Sequence, residues 1–95
     1  MKDAIISEIQ IVPIKPKDGL VGFVSFVLNG WFYLGSIGIY TRLDGNYRLT
    51  YPTKDSRNIF YPINREISDA IEKQVIIKFE EVTKPYDRHY KVDSR

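Results

Sequence analysis

The chain changes rhythm once. Between residues 4 and 51 β-branched and aromatic runs are broken by turn residues, as in successive strands, and between 65 and 82 apolar positions follow helical steps of three and four. The stretch "AIISEIQIVPI", residues 4–14, is rich in β-branched residues with Ser7, Glu8 and Gln10 among them, and reads as a first strand. Pro13 gives no N–H to a ladder, which suits a sheet edge or a strand end. "KPKDG", 15–19, is turn chemistry. A second strand from Leu20 to Leu28 and a third from Trp31 to Tyr40 flank Asn29-Gly30, a pair that tolerates the positive φ of a type I′ hairpin turn. "RLDGN", 42–46, supplies another turn. In the fourth strand, Tyr47, Leu49 and Tyr51 share one face, and Asn46, Arg48 and Thr50 the other. Gly35 and Gly38 lie inside the third strand and predict a bulge or a close approach of another backbone.

Ile67, Ala70, Ile71, Val75, Phe79 and Val82 build one apolar helical face. Asn64 is placed to cap this helix, and Glu66 sits in the first turn, where the helix dipole favours an anion. Thr83-Lys84-Pro85 predicts its end, because proline disfavours helical geometry in the residue before it. The expected architecture is α+β: a four-stranded antiparallel β-meander followed by one C-terminal α-helix packed on the sheet. It forms a single domain over residues 1–82, with a loose basic tail over 83–95. The second and third strands are apolar on both faces, and one helix covers only part of one face. A homodimer is therefore expected to bury the remainder.

Composition narrows the class without naming a partner. The 95 residues are 43% apolar and 14% aromatic, enough for one compact core, and the absence of cysteine removes disulfides and thiolate metal sites. No apolar run reaches the ~18 residues that span a bilayer. The N-terminal "MKDAIISEIQ" carries acidic residues where a signal peptide would be apolar, so a cytoplasmic protein is expected. The net charge of +2 is unevenly spread: the helix is acidic on balance, while residues 51–64 and 83–95 hold the cationic excess.

Catalytic chemistry finds little support. His89 is the single histidine and falls in the expected tail; Glu80 and Glu81 diverge by about 100° around a helix. "GSIG", 35–38, lacks the Lys-Ser/Thr sequel and the following helix of a phosphate loop. The expectation is no enzyme, no metal, no cofactor and no small-molecule substrate.

The remaining signal is "YPTKDSRNIFYPIN", residues 51–64, a stiff, cationic, aromatic connection between sheet and helix. Pro52-Thr53-Lys54, then Arg57-Asn58-Ile59, then Tyr61-Pro62-Ile63-Asn64 opening a helix, resembles the SpoVG family of small bacterial sporulation and septation regulators. The resemblance spans roughly residues 7–82 and is most specific at 52–64. It implies the fold just described, a homodimer, and a regulatory role through binding of DNA or RNA. Lys54 matches a basic position after the family's Pro-Ser/Thr pair, Arg57 matches the arginine before Asp-Ile, and Pro62, Ile63 and Asn64 match the helix-opening motif. Asp55 stands where the family has a second basic residue, Tyr61 replaces a histidine, and the loop is about five residues shorter.

Two functions are consistent with these residues. In the first, Lys54 and Arg57, with Arg48 and with Lys84 and Arg88 of a basic aromatic tail, neutralise phosphates, while Tyr51 and Tyr61 stack on bases or serve the core. Within the connection, Ile59 to Asn64 then sets the helix angle, with Ile63 reaching the core. In the second, the same fold is a protein-interaction module that has given up nucleic acid, as Asp55 and the short loop suggest, and uses its strand edges and apolar face for a partner.

Overall fold

A computed structural model describes the backbone of residues 6–93 and the side chains of residues 6–83. Strands β1 (Ile6–Lys17), β2 (Leu20–Leu28), β3 (Phe32–Thr41) and β4 (Tyr47–Thr50) form one antiparallel sheet in the order β1-β2-β3-β4, and helix α1 (Arg65–Asp93) packs on one of its faces. This is the α+β meander-and-helix architecture that the change of period predicts. The turns are those the sequence marks: Asp18-Gly19 and Asn29-Gly30 both have positive φ at each residue, and the N–H of Trp31 donates to Leu28 O at 2.9 Å. Strand β1 runs to Lys17, three residues further than the β-branched run and the turn residues after it suggest. It carries Pro13 and Pro16 without conflict because it is an edge strand.

Two bulges organise the core. Strand β2 slips once against β3 at its start, between Leu20 and Gly22, and from there turns Gly22, Val24, Phe26 and Leu28 toward the helix. Both of its neighbours insert one extra residue opposite its middle. On β1 the register slips between Ser7 and Gln10 at Glu8 (φ 50°), and on β3 it slips between Leu34 and Ile37 at Ser36 (φ 59°). Each bulge re-aims the residues beyond it, so Ile6, Ile9 and Ile11, and likewise Leu34, Ile37 and Ile39, all reach the same core. Spaced three and then two residues apart, neither trio shares one face of a regular strand.

The helix contributes Ile67, Ile71, Val75 and Phe79, a stripe at four-residue steps. Val75 is fully buried, as are Phe26, Ile37 and Ile39 beneath it. Val82 stays largely exposed, so the buried stripe is narrower than the predicted face. Phe79 meets Tyr47 edge-on, with ring centroids 5.1 Å apart, and lies over Gly22, where a Cβ would sit 3.0 Å from Val12 O and 3.5 Å from the Phe79 ring. Asn64 caps as expected: its Oδ1 accepts from the N–H of Ile67 at 3.1 Å, and its carbonyl oxygen accepts from Ser68 N–H at 2.9 Å.

Two expectations are corrected. The helix continues past Thr83-Lys84-Pro85 to Asp93 rather than ending near Val82. Proline there removes one backbone donor and disfavours the helical conformation of Lys84 without forbidding it. Two residues before it, the Thr83 hydroxyl donates to the Phe79 carbonyl oxygen at 2.8 Å. Ile63 does not reach the core; it is 89% exposed, and Phe60 and Pro62 turn inward instead. The backbone of Lys84 and Arg88 belongs to the helix, but their side chains lie outside the described residues. No helix among the described residues is long and apolar enough to cross a membrane.

Candidate nucleic-acid interface

The connection between β4 and α1 is a folded device. Residues Thr53–Lys54 (β5) and Arg57–Asn58 (β6) pair as a small antiparallel hairpin, with Thr53 opposite Asn58 and Lys54 opposite Arg57. Its turn is Asp55-Ser56, both at positive φ (52° and 65°), and its base is closed by the Ile59 N–H donating to Pro52 O at 3.0 Å. Asp55 therefore does more than lower the charge. It is one of the residue types that enter the left-handed region at low cost, and the turn needs one there.

This geometry brings the two predicted cations together. Directly paired residues of an antiparallel ladder project to the same side with Cβ atoms ~4.5–5.5 Å apart. Lys54 and Arg57 are both exposed, and neither has a carboxylate partner among the described residues. Like charges facing each other across a ladder are destabilising until an anion comes between them. Arg42, by contrast, is engaged: its guanidinium lies 3.6 Å from Glu72 and its Nε donates to Tyr47 O at 3.2 Å.

Arg48 is the third predicted cation. It sits on β4 opposite Tyr40, with its guanidinium carbon 5.1 Å from the centre of that ring. Leu49 next to it is buried against the helix, so Arg48 points to the open face of the sheet. Lys54 and Arg57 follow beyond the end of β4, on a two-stranded sheet of their own. Lys84 and Arg88 are not placed beside them, because their side chains fall outside the described residues.

Of the two predicted tyrosines, Tyr61 is about half exposed and Tyr51 is not a surface residue. Tyr51 packs edge-on against Phe60 (centroids 6.0 Å apart) and shares with it an almost wholly apolar cleft of about 310 Å³, floored by Phe26 and Ile71 and rimmed by Phe32 and Tyr61. The Tyr51 hydroxyl oxygen is shielded from solvent and has no hydrogen-bond partner. Burial, reinforced by the negative charge of Glu72, pushes its pKa up to about 12.

The open face holds residues that sequence reasoning did not single out. Tyr33 (69% exposed) and Phe23 (39%) stand over a shallow groove of about 530 Å³ together with Gln10, Ser25 and Ser36. Gly35 and Gly38 make room for rings to lie along this face. A Cβ at Gly35 would meet the Tyr33 ring at 3.6 Å, and one at Gly38 would meet the Tyr40 ring at 3.1 Å and Thr50 Oγ1 at 2.8 Å. The alternating aromatics and glycines of "WFYLGSIGIY" were the available signal. A scan of protein-family models and a search of curated proteins return no match to this chain.

Proposed function

We propose that this chain is a cytoplasmic, SpoVG-like regulator that binds nucleic acid through the hairpin between β4 and α1. The observation that carries the reading is the pairing of Lys54 with Arg57. Two exposed cations held side by side, without a carboxylate, form a doubly charged site for the phosphates of a polynucleotide backbone, and Arg48 on the open face adds a third positive charge. Order and spacing at residues 52–64, shared with the SpoVG family, support the same reading. The function needs no cofactor and includes no catalysis.

The protein acts as a homodimer in this proposal. The apolar cleft between β2, β3 and the helix entry, with Phe32 and Tyr61 exposed in its lining, suits a second copy better than the open sheet face does. The cleft has no charged residue in its lining, whereas the open face carries Gln10, Ser25, Ser36 and Arg48. The same cleft favours a second reading, in which it receives a different protein and the cations are only a solvated rim.

Fluorescence anisotropy of labelled DNA and RNA across a salt series tests the proposal. Binding that falls with salt, at a duplex slope of about 0.9 per phosphate neutralised, is expected. A folded protein that leaves every oligonucleotide free at low salt would remove the nucleic-acid reading and leave the interaction module.

A further inference from the structure

We infer that the open face of the sheet is a stacking platform for unpaired bases, so that the ligand is a single strand rather than a duplex. The inference rests on the nucleic-acid function just proposed and specifies its ligand. An antiparallel sheet bare on one face presents aromatic rings broadside where small residues flank them, and each base offers a π-face to such a ring whatever its sequence. Here Tyr33 lies against Gly35 and Tyr40 against Gly38, with Phe23 on the neighbouring strand directly opposite Gly38. The rings thus run across β2 and β3, and the groove beside Tyr33 adds Gln10, Ser25 and Ser36, short polar groups able to meet base edges.

Charge settles which occupant fits. Arg48 lies over the Tyr40 ring at the β4 border of this face, and the Lys54–Arg57 pair follows in the chain just after β4 ends. A strand lying with its bases on β2 and β3 and its backbone toward β4 meets rings and cations in the order a polynucleotide requires. A duplex keeps its base faces stacked internally and uses only the cations. The apolar stripe of α1, from Ile67 to Phe79, is spent on the other face of the sheet, which leaves the rings of the open face uncovered by the helix.

The test compares a mixed-sequence single-stranded RNA or DNA with its own duplex, using wild type, Tyr33→Leu and the double variant Lys54→Ala/Arg57→Ala. A 2-aminopurine label in the single strand reports stacking. The single strand is expected to bind more tightly than the duplex and to lose about tenfold in affinity in Tyr33→Leu, with less 2-aminopurine quenching. Tyr33 is exposed, so the melting temperature should hold. The double variant should weaken single strand and duplex alike. Equal affinity for both forms, with Tyr33→Leu silent, would overturn the platform while leaving the hairpin's role intact. If no oligonucleotide binds wild type, the underlying reading falls with it. A change of apparent mass in Tyr33→Leu would also overturn it, by giving the open face to a second copy.

Discussion

Glu72 of the helix accepts a hydrogen bond from the backbone N–H of Leu49 at 3.3 Å, and its other carboxylate oxygen lies 3.6 Å from the Arg42 guanidinium. Leu49 is on β4, an edge strand, so this amide finds its partner in a side chain of the element packed beside it. One carboxylate thereby ties the N-terminal part of the helix to the last strand of the four-stranded sheet and to the turn that precedes it. Glu72→Ala should cost about 1–3 kcal/mol in urea unfolding, because it leaves a part-buried amide without an acceptor. Glu72→Gln keeps an acceptor and loses only the ion pair with Arg42, itself about half exposed, so its cost should stay below about 1 kcal/mol. Equal losses for the two variants would mean that the charge, not the hydrogen bond, carries the contact.

The same carboxylate acts on Tyr51. Burial and then the charge of Glu72 raise the Tyr51 pKa from 10.0 to about 12, which favours the neutral phenol in the folded state. A raised folded pKa contributes stability that is complete below the unfolded value and lost as pH climbs through the folded one. Stability should therefore fall between pH 10 and 12, at up to about 1.4 kcal/mol per pH unit from this group. Tyr51→Phe should flatten that fall and be neutral or stabilising near pH 7, since it removes a buried hydroxyl that has no partner. Tyrosinate absorbance during alkaline titration checks this: one of the seven tyrosines should ionise late, and earlier in Glu72→Gln.

The legible features of the sequence were those governed by local chemistry. Asn29-Gly30, Asp18-Gly19 and Asn64 each act within a few residues, and each takes up the conformation its side chain predicts. The four-residue steps from Ile67 to Phe79 likewise fix which helix face is buried. Three features were less legible because they depend on what lies across the sheet or along the helix. The bulges at Glu8 and Ser36 flank the middle of β2, which lies between them. The isoleucine spacing of three and then two was their trace. The helix runs on beyond Pro85, where a local rule expresses only a preference. At the site, Lys54 and Arg57 could be named from the sequence, but their pairing depends on the Asp55-Ser56 turn, and that pair is a weaker hairpin signal than Asn-Gly.

Gly22 offers a test of how the helix is seated. Its φ is ordinary, so backbone freedom is not the reason for glycine; space is, with Val12 O 3.0 Å and the Phe79 ring 3.5 Å from where a Cβ would be. Gly22→Ala should push β1 or the helix outward and cost about 1–3 kcal/mol. Gly30, with φ of 72° and nothing within 4 Å, is the contrasting control: Gly30→Ala meets no atom and should lose only the roughly 1–2 kcal/mol of a left-handed alanine. Lost amide protection along β1 around Val12 in Gly22→Ala, absent from Gly30→Ala, would establish the difference. Urea midpoints with an unchanged m-value are the readout.

The cation pair makes the sharpest prediction, because its two roles have opposite signs. Without an anion, Lys54 and Arg57 repel across the hairpin. Lys54→Ala/Arg57→Ala should therefore leave the melting temperature unchanged or slightly raised at low salt. With an anion present the order should reverse. Inorganic polyphosphate bound between the two side chains stabilises the folded state in proportion to its occupancy, so it should raise the wild-type melting temperature and not that of the double variant. Nucleic-acid affinity should fall in the double variant, with the salt slope shallower by about 0.7 per lost contact for a single strand. Ser56→Gly separates turn strain from charge: it relieves the left-handed strain at φ 65° without touching a cation. It should therefore hold Lys54 and Arg57 in register and leave binding intact or strengthened. A double variant that unfolds instead would make the hairpin a structural strut, and its cations incidental to binding.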